Sequence, residues 1–302
     1  MPIIDYHYIR DNGKDAFKLP GYSRDAFRGH LDFLKNNYQI VRLEELVALK
    51  REKKDIEKYC SLVFDDGITD HYENAFPDLI ARGISAFFFP IASVFDGKAP
   101  VTIKMHVVFS VMDGKKIAIS LENYINEKSS ASFPNFKVPM DHRINTEFRL
   151  KDDVITANLK QIIAELPLSV KEGFADSLFG TIIKDEKGFC KKFFMQPEQL
   201  REMHKAGMGI GVHSYNHTSL KSLTSKEQKE DIVRAKDIVE SMINDKVEAF
   251  SYPFGDCDSH SLDVLKSAGF RYGVIYNSRR VSLSDDDLLL SMGEYDNFFK
   301  SK

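Results

Sequence analysis

Short apolar runs alternate with helical patterns along the first 95 residues, beginning with the strand-like Ile3 to Tyr8. Ser23 is placed to N-cap a helix that carries Phe27, Leu31 and Leu34 on one face, and the β-leaning Tyr38 to Val41 follows. A second short helix is expected over Leu43 to Lys50. The run Cys60 to Phe64 is apolar and broken by Asp65-Asp66-Gly67, the pattern of a buried strand ending in a loop. A helix from Asn74 to Arg82 closes at Gly83, which suits a left-handed C-cap, and a strand from Ser85 to Phe89 ends at Pro90. Strand, loop, helix and strand in this order imply parallel pairing.

The same rhythm returns after residue 196. Pro197 and Gly207 bracket a helix, and a glycine-rich strand runs from Met208 to His213. Thr224 with Glu227 forms a capping box, opening a helix with Ile232, Ala235, Val239 and Met242 on one stripe. Strands Ala249 to Tyr252 and Tyr272 to Tyr276 flank a helix from Leu262 to Ser267. Between the halves, Val101 to Phe109 and Lys116 to Ser120 suggest a hairpin around Asp113-Gly114, followed by helices Asp153 to Leu166 and Val170 to Ile183. The organisation expected is an α/β barrel in two parts, 1–95 and 196–302, split by an inserted α+β segment or lid over 96–195.

Composition narrows the functional classes. With 42 basic and 45 acidic residues among 302, no basic excess is available to track a phosphate backbone, so nucleic acid is not an expected partner. The longest nearly apolar stretch, Ala86 to Phe95, holds Pro90 and Ser93 and falls short of the ~20 residues a membrane span needs. The opening MPIIDYHYIRDNGKD lacks the basic, apolar and small-residue regions of a signal peptide, so a cytoplasmic location is expected. Cys60, Cys190 and Cys257 are few and far apart, unlike a disulfide framework.

Three segments place chemistry directly after a strand, where parallel α/β architectures build sites. In Phe64-Asp65-Asp66-Gly67, adjacent carboxylates on opposite sides of a strand would let one ligate a cation while the other acts as a base; a plain turn is the alternative. In His213-Ser214-Tyr215-Asn216-His217, histidines at i and i+4 would share one face of a helical turn, a spacing suited to zinc; exposed loop histidines are the alternative. Ser251-Tyr252-Pro253-Phe254-Gly255 is a strand halted by proline, with Gly255 freeing the following backbone.

In this order the three segments resemble the motifs of the polysaccharide deacetylase family, the NodB-like domains of carbohydrate esterase family 4. Val63 to Gly67 matches its T/S-F-D-D-G except at the first position. His213, Ser214 and His217 match H-S/T-x-x-H, and Ser251 to Gly255 matches R-x-P-Y/F-G with serine in place of arginine. Tyr6-His7 is similar to the family's first strand. The resemblance implies a distorted (β/α) barrel of about seven strands that removes an N-acetyl group from a sugar with a divalent metal. By position, Asp66, His213 and His217 would be ligands, Asp65 the general base and the Phe254 backbone N–H an oxyanion donor. Zinc is the default for such ligands, with cobalt or nickel also compatible. Tyr252, Pro253 and Arg279 would line the substrate.

Two family features are missing. The D-x-x-D-W segment has no counterpart in a chain without tryptophan, and the L-x-x-H that supplies a general acid should fall near Leu288 to Asp296, which holds no histidine. Candidate acids are Glu294, His260, His7, His106 and His142, and Arg279 or Arg280 could stand in for the absent arginine. Cys257 reads as a small buried apolar residue. The expected activity is metal-dependent hydrolysis of an N-acetyl or N-formyl sugar, a glycan precursor. The alternative is a degenerate relative that binds glycan or metal without turnover. Homo-oligomerisation through the insertion is a further expectation.

Overall fold

The computed structural model describes residues 1–11, 17–129, 131–146 and 152–299. The chain divides into two units, one built from Met1–Lys14, Pro20–Pro100 and Lys187–Lys302, the other from Asp15–Leu19 and Val101–Glu186.

The strands of the first unit are β1 (Ile3–Tyr6), β2 (Gln39–Ile40), β3 (Tyr59–Asp66), β4 (Phe87–Pro90), β5 (Gly209–Ile210), β6 (Ala249–Ser251), β7 (Tyr272–Tyr276) and β8 (Leu290–Glu294). Their order is β5-β4-β3-β1-β8-β7-β6, every pairing is parallel, and β2 adds to β3 outside this path. The ends of the path meet where Val212 pairs with Phe250. There Val212 N–H donates to Ala249 O at 3.1 Å and Ser251 N–H donates to Val212 O at 3.0 Å. Seven parallel strands thus form a nearly closed α/β barrel, the fold class expected from the sequence. β8 was not anticipated as a strand, because Leu288-Leu289-Leu290 followed by Ser291 and Gly293 has neither clean alternation nor β-branched residues.

Strand parity sorts the side chains. Ile4, Tyr6, Leu62, Phe64, Phe88, Phe250 and Tyr252 face the helical layer, packing with Phe27, Leu31, Leu79, Leu200 and Ile232. Ile3, Val63, Phe87, Phe89, Ala249, Val274, Leu290 and Met292 form a second cluster on the opposite, inward face. Asp5, Asp65 and Ser251 share the inward parity at the carboxyl ends of their strands, which is how polar groups reach the barrel mouth. Gly209 and Gly211 also lie inward, and a Cβ on Gly211 would sit 2.3 Å from the Phe89 ring and 2.7 Å from Ala249 O. Backbone on one side leaves no room to yield, so Gly211→Ala is expected to lose about 1–3 kcal/mol of stability, read as a lower melting temperature. An unchanged melting temperature would show that the interior is looser than this geometry requires.

Several boundaries follow the sequence closely. Ser23 caps the helix Arg24–Asn37 and accepts from Ala26 N–H at 3.1 Å. Gly83 closes Phe76–Arg82 at φ 65°, and the Thr224–Glu227 capping box opens Ser225–Ile243.

In the second unit the expected hairpin is instead two helices, Val101–Val111 and Gly114–Lys128, followed by Val154–Glu165 and Leu168–Ile182. Among the described residues its regular elements are therefore helical rather than α+β. Val101, Ile103, Met105 and Val107 mimic a strand's alternation, yet Ile103 with Val107 and Lys104 with Val108 are buried at helical spacing. Asp113-Gly114 does not turn a hairpin: Asp113 caps the next helix by accepting from Lys115 N–H at 3.0 Å. Ile117, Leu121, Ile125, Leu159, Phe174 and Phe179 fill the unit's interior.

Candidate active site

The carboxyl ends of β1, β3, β6 and β8 and the loop after β5 converge at the barrel mouth. β3 ends on Asp65 and Asp66, both buried. Alternation should send them to opposite faces, but Asp66 has φ 75° and Gly67 φ 70°, and this left-handed step turns both carboxylates to one side. His213 Nε2 then lies 3.7 Å from Asp65 Oδ2 and 3.8 Å from Asp66 Oδ1, and His217 Nε2 lies 3.5 Å from Asp66 Oδ1.

The two histidines do not sit on a helical turn. They belong to a loop in which Ser214 (φ 61°) and His217 (φ 54°) are left-handed, and their ring centroids are 4.7 Å apart. Neighbouring elements pin that loop. His213 N–H donates to Pro90 O at 3.0 Å, and Ala92 N–H donates to Ser214 O at 3.1 Å. Tyr215 N–H and Asn216 N–H donate to the buried Asp231 carboxylate at 2.8 and 3.0 Å. His213 Nδ1 lies 2.8 Å from Ser251 O, an atom that only accepts, so Nδ1 carries the hydrogen and Nε2 presents a lone pair.

The fit to a divalent cation can be judged from the donor set. Ligand atoms of Asp66, His213 and His217 lie within 4.8 Å of one another, and all three residues are buried. Asp65 Oδ1 and Asp66 Oδ1 are buried without a hydrogen-bond partner. Burial pushes the Asp66 carboxyl up; His7 and His213 oppose this, and the neighbouring Asp65 charge adds to it. Two imidazoles, one carboxylate and orphaned acceptors are what such an ion requires.

The residue in the arginine position of the third motif has a task of its own. Ser251 Oγ donates to Asp65 Oδ2 at 2.8 Å, fixing that carboxylate from across the barrel. Arg279 is paired with Asp285 at 3.0 Å, and Arg280 lies over the Phe298 and Phe299 rings; no ion pair or hydrogen bond joins either to Asp65 among the described residues. Tyr252 has outward parity, and its ring is buried against Phe250 at 5.2 Å, so its side chain joins the core instead of lining substrate. Pro253 is buried in the turn Pro253–Gly255, which holds Phe254 at φ 60°. The amides bonded in that turn are those of Gly255 and Asp256, which leaves the Phe254 N–H outside its pattern. The exposed Phe254 ring meets His217 edge-on at 4.8 Å.

Of the acid candidates, His7 stands at this mouth. Its Nδ1 is 3.2 Å from Asp5 Oδ2. Burial works against its charge, but Asp5, Asp66, Asp65 and Glu294 together raise it to about 9. Glu294 ends β8, in register with Asp5 and exposed. His260 sits on the helix Ser259–Ser267 beside Ser225 O at 3.3 Å, while His106 and His142 belong to the second unit. Asp5 and the Ser251 contact were not foreseen. The signal for Asp5 was an ionisable residue at an inward position of the apolar strand Ile3–Tyr6.

Residues 176–273, which hold the second and third motifs, match the family model of polysaccharide deacetylase. That match falls on the part of the chain that carries two of the three motifs by which it resembles the polysaccharide deacetylases. A curated relative from Bacillus subtilis (strain 168), "Putative polysaccharide deacetylase YxkH", is 21% identical over 276 residues. The match covers 91% of this chain and 63% of that protein. Among solved structures, a de-N-acetylase from Aggregatibacter actinomycetemcomitans superposes with a TM-score of 0.59 at 16% identity, covering 98% of this chain and 95% of that one. The Streptococcus pyogenes deacetylase PplD, solved in complex with acetate, gives 0.58 at 17%, with 97% and 90% covered. These structural likenesses bear out the barrel fold.

Proposed function

We propose that the chain is a divalent-metal-dependent hydrolase that removes the N-acetyl group from a sugar. The observation that carries this reading is the buried Asp66–His213–His217 cluster set beside a second carboxylate, Asp65, that is fixed by Ser251. When bound, a divalent cation, with zinc the first choice, supplies Lewis acidity and brings the pKa of water down toward ~7.

The chain's own groups divide the remaining work. Asp65 accepts the proton of the water whose oxygen bonds to the amide carbon. The Phe254 N–H donates to the oxygen on which charge develops. His7 delivers a proton to the sugar nitrogen as the carbon–nitrogen bond breaks, leaving acetate and a free amine. The exposed Phe254 ring offers an apolar face to the sugar. N-acetylated glycans and glycan precursors are the substrate class this chemistry fits.

Incubation with a panel of N-acetyl sugars and oligosaccharides is expected to release acetate, to stop with a chelator and to resume on adding zinc. Metal-bound protein that releases neither acetate nor formate from any of them would favour binding without turnover.

A further inference from the structure

Of the buried carboxylates at the barrel mouth, Asp5 is the one that the proposed reaction does not use. It is fully buried, and neither of its oxygens accepts a hydrogen bond. Burial pushes its carboxyl well above the ordinary value, and the influence that opposes this is the neighbouring His7. The one cationic side chain at ion-pair distance among the described residues is His7, two positions along and on the same face of the strand's path.

The backbone carrying His7 is held firmly. His71 Nε2 donates to His7 O at 2.7 Å from a π-helical turn, and burial keeps His71 neutral by lowering it to about 3. From the same segment Asp70 accepts from Ile9 N–H at 3.2 Å and twice from Arg10 at 2.7 Å, and Asn74 Nδ2 donates to Ile9 O at 2.7 Å. The imidazole is therefore presented by fixed backbone.

We propose that Asp5 is the positioning residue for His7, engaging Nδ1–H so that the transferable proton resides on Nε2. The use made of that proton rests on the deacetylase reading; the Asp5–His7 pair does not. The charged and titratable groups facing His7 are Asp5 on its own strand, Asp65 and Asp66 on β3, Glu294 on β8 and the neutral His71. A competing arrangement exists, because ligand atoms of Asp5, His7 and Asp65 also lie within 4.8 Å of one another and could take a second cation, with His7 neutral.

The test uses zinc-loaded, 15N-histidine-labelled full chain at neutral pH, with the His7 signals assigned by His7→Gln. Wild type is expected to show one zinc per chain and an imidazolium at His7, and Asp5→Asn the same zinc content with a neutral ring. A neutral His7 in wild type, or two zinc ions falling to one in Asp5→Asn, overturns the proposal. In turnover, Asp5→Asn should lower kcat on the order of 10²-fold with KM unchanged and move the alkaline limb of the rate profile to lower pH. A wild-type pH profile in that variant also overturns it. A chain that hydrolyses no N-acetyl sugar yet shows the imidazolium supports the pair while refuting the deacetylase reading.

Discussion

Asp65→Asn is expected to slow acetate release by about 10³-fold while the bound divalent ion is retained. The substitution keeps the shape of the side chain and its place at the inward end of β3. It also keeps an oxygen able to accept from Ser251 Oγ, which now lies 2.8 Å from Asp65 Oδ2. What it removes is the group proposed to take the proton of the attacking water. The Asp66, His213 and His217 ligand set does not include Asp65, so metal content measured by elemental analysis should match wild type. Loss of the ion together with activity would instead make Asp65 a ligand. Wild-type turnover would mean that another group serves as base.

His213→Ala is expected to abolish metal retention, reduce turnover to background and lower the melting temperature measured in the presence of zinc. An ion that binds only the folded state adds about 4 kcal/mol when its free concentration is a thousand times its Kd, and the variant forgoes that addition. The metal-free wild type should show the complementary pH dependence. Burial raises the Asp66 carboxyl above its ordinary value, so the folded state binds more protons than the unfolded one at intermediate pH. Its stability therefore increases as pH falls from neutral through the raised value, and flattens once the unfolded carboxylate is also protonated. A melting temperature that rises on zinc addition in His213→Ala as much as in wild type would argue that the ion sits elsewhere.

The sequence carried the site's chemistry more fully than its construction. Phe64-Asp65-Asp66-Gly67, His213 to His217 and Ser251 to Gly255 announce themselves because turn-forming and ligand-type residues stand directly after apolar runs. The means of convergence is not local. Asp66 and His217 reach one point through left-handed backbone, which Asp and His enter more readily than most residues but which no single position announces, and the i, i+4 spacing of the two histidines fits a helical turn equally well. Ser251 meets Asp65 across 186 positions, a contact created by inward parity on strands from opposite sides of the barrel. The same parity takes Tyr252 out of the site. Asp5 gains its meaning only once β1 is seen between β3 and β8, which sets Asp65 and Glu294 around it. In the second unit, a run rich in valine and isoleucine satisfied both periods at once, and only its packing decides for helix.

The barrel's closure leads to a different way of viewing the site. Most of the wall is laced by continuous ladders, but the last gap is fastened by two backbone hydrogen bonds at Val212 and by the His213 ring on Ser251 O. The fastening and the imidazole share one side chain. An ion held at His213 Nε2 would act through the same ring that fastens the hoop at Nδ1, so filling the site would be tied mechanically to the barrel's closure.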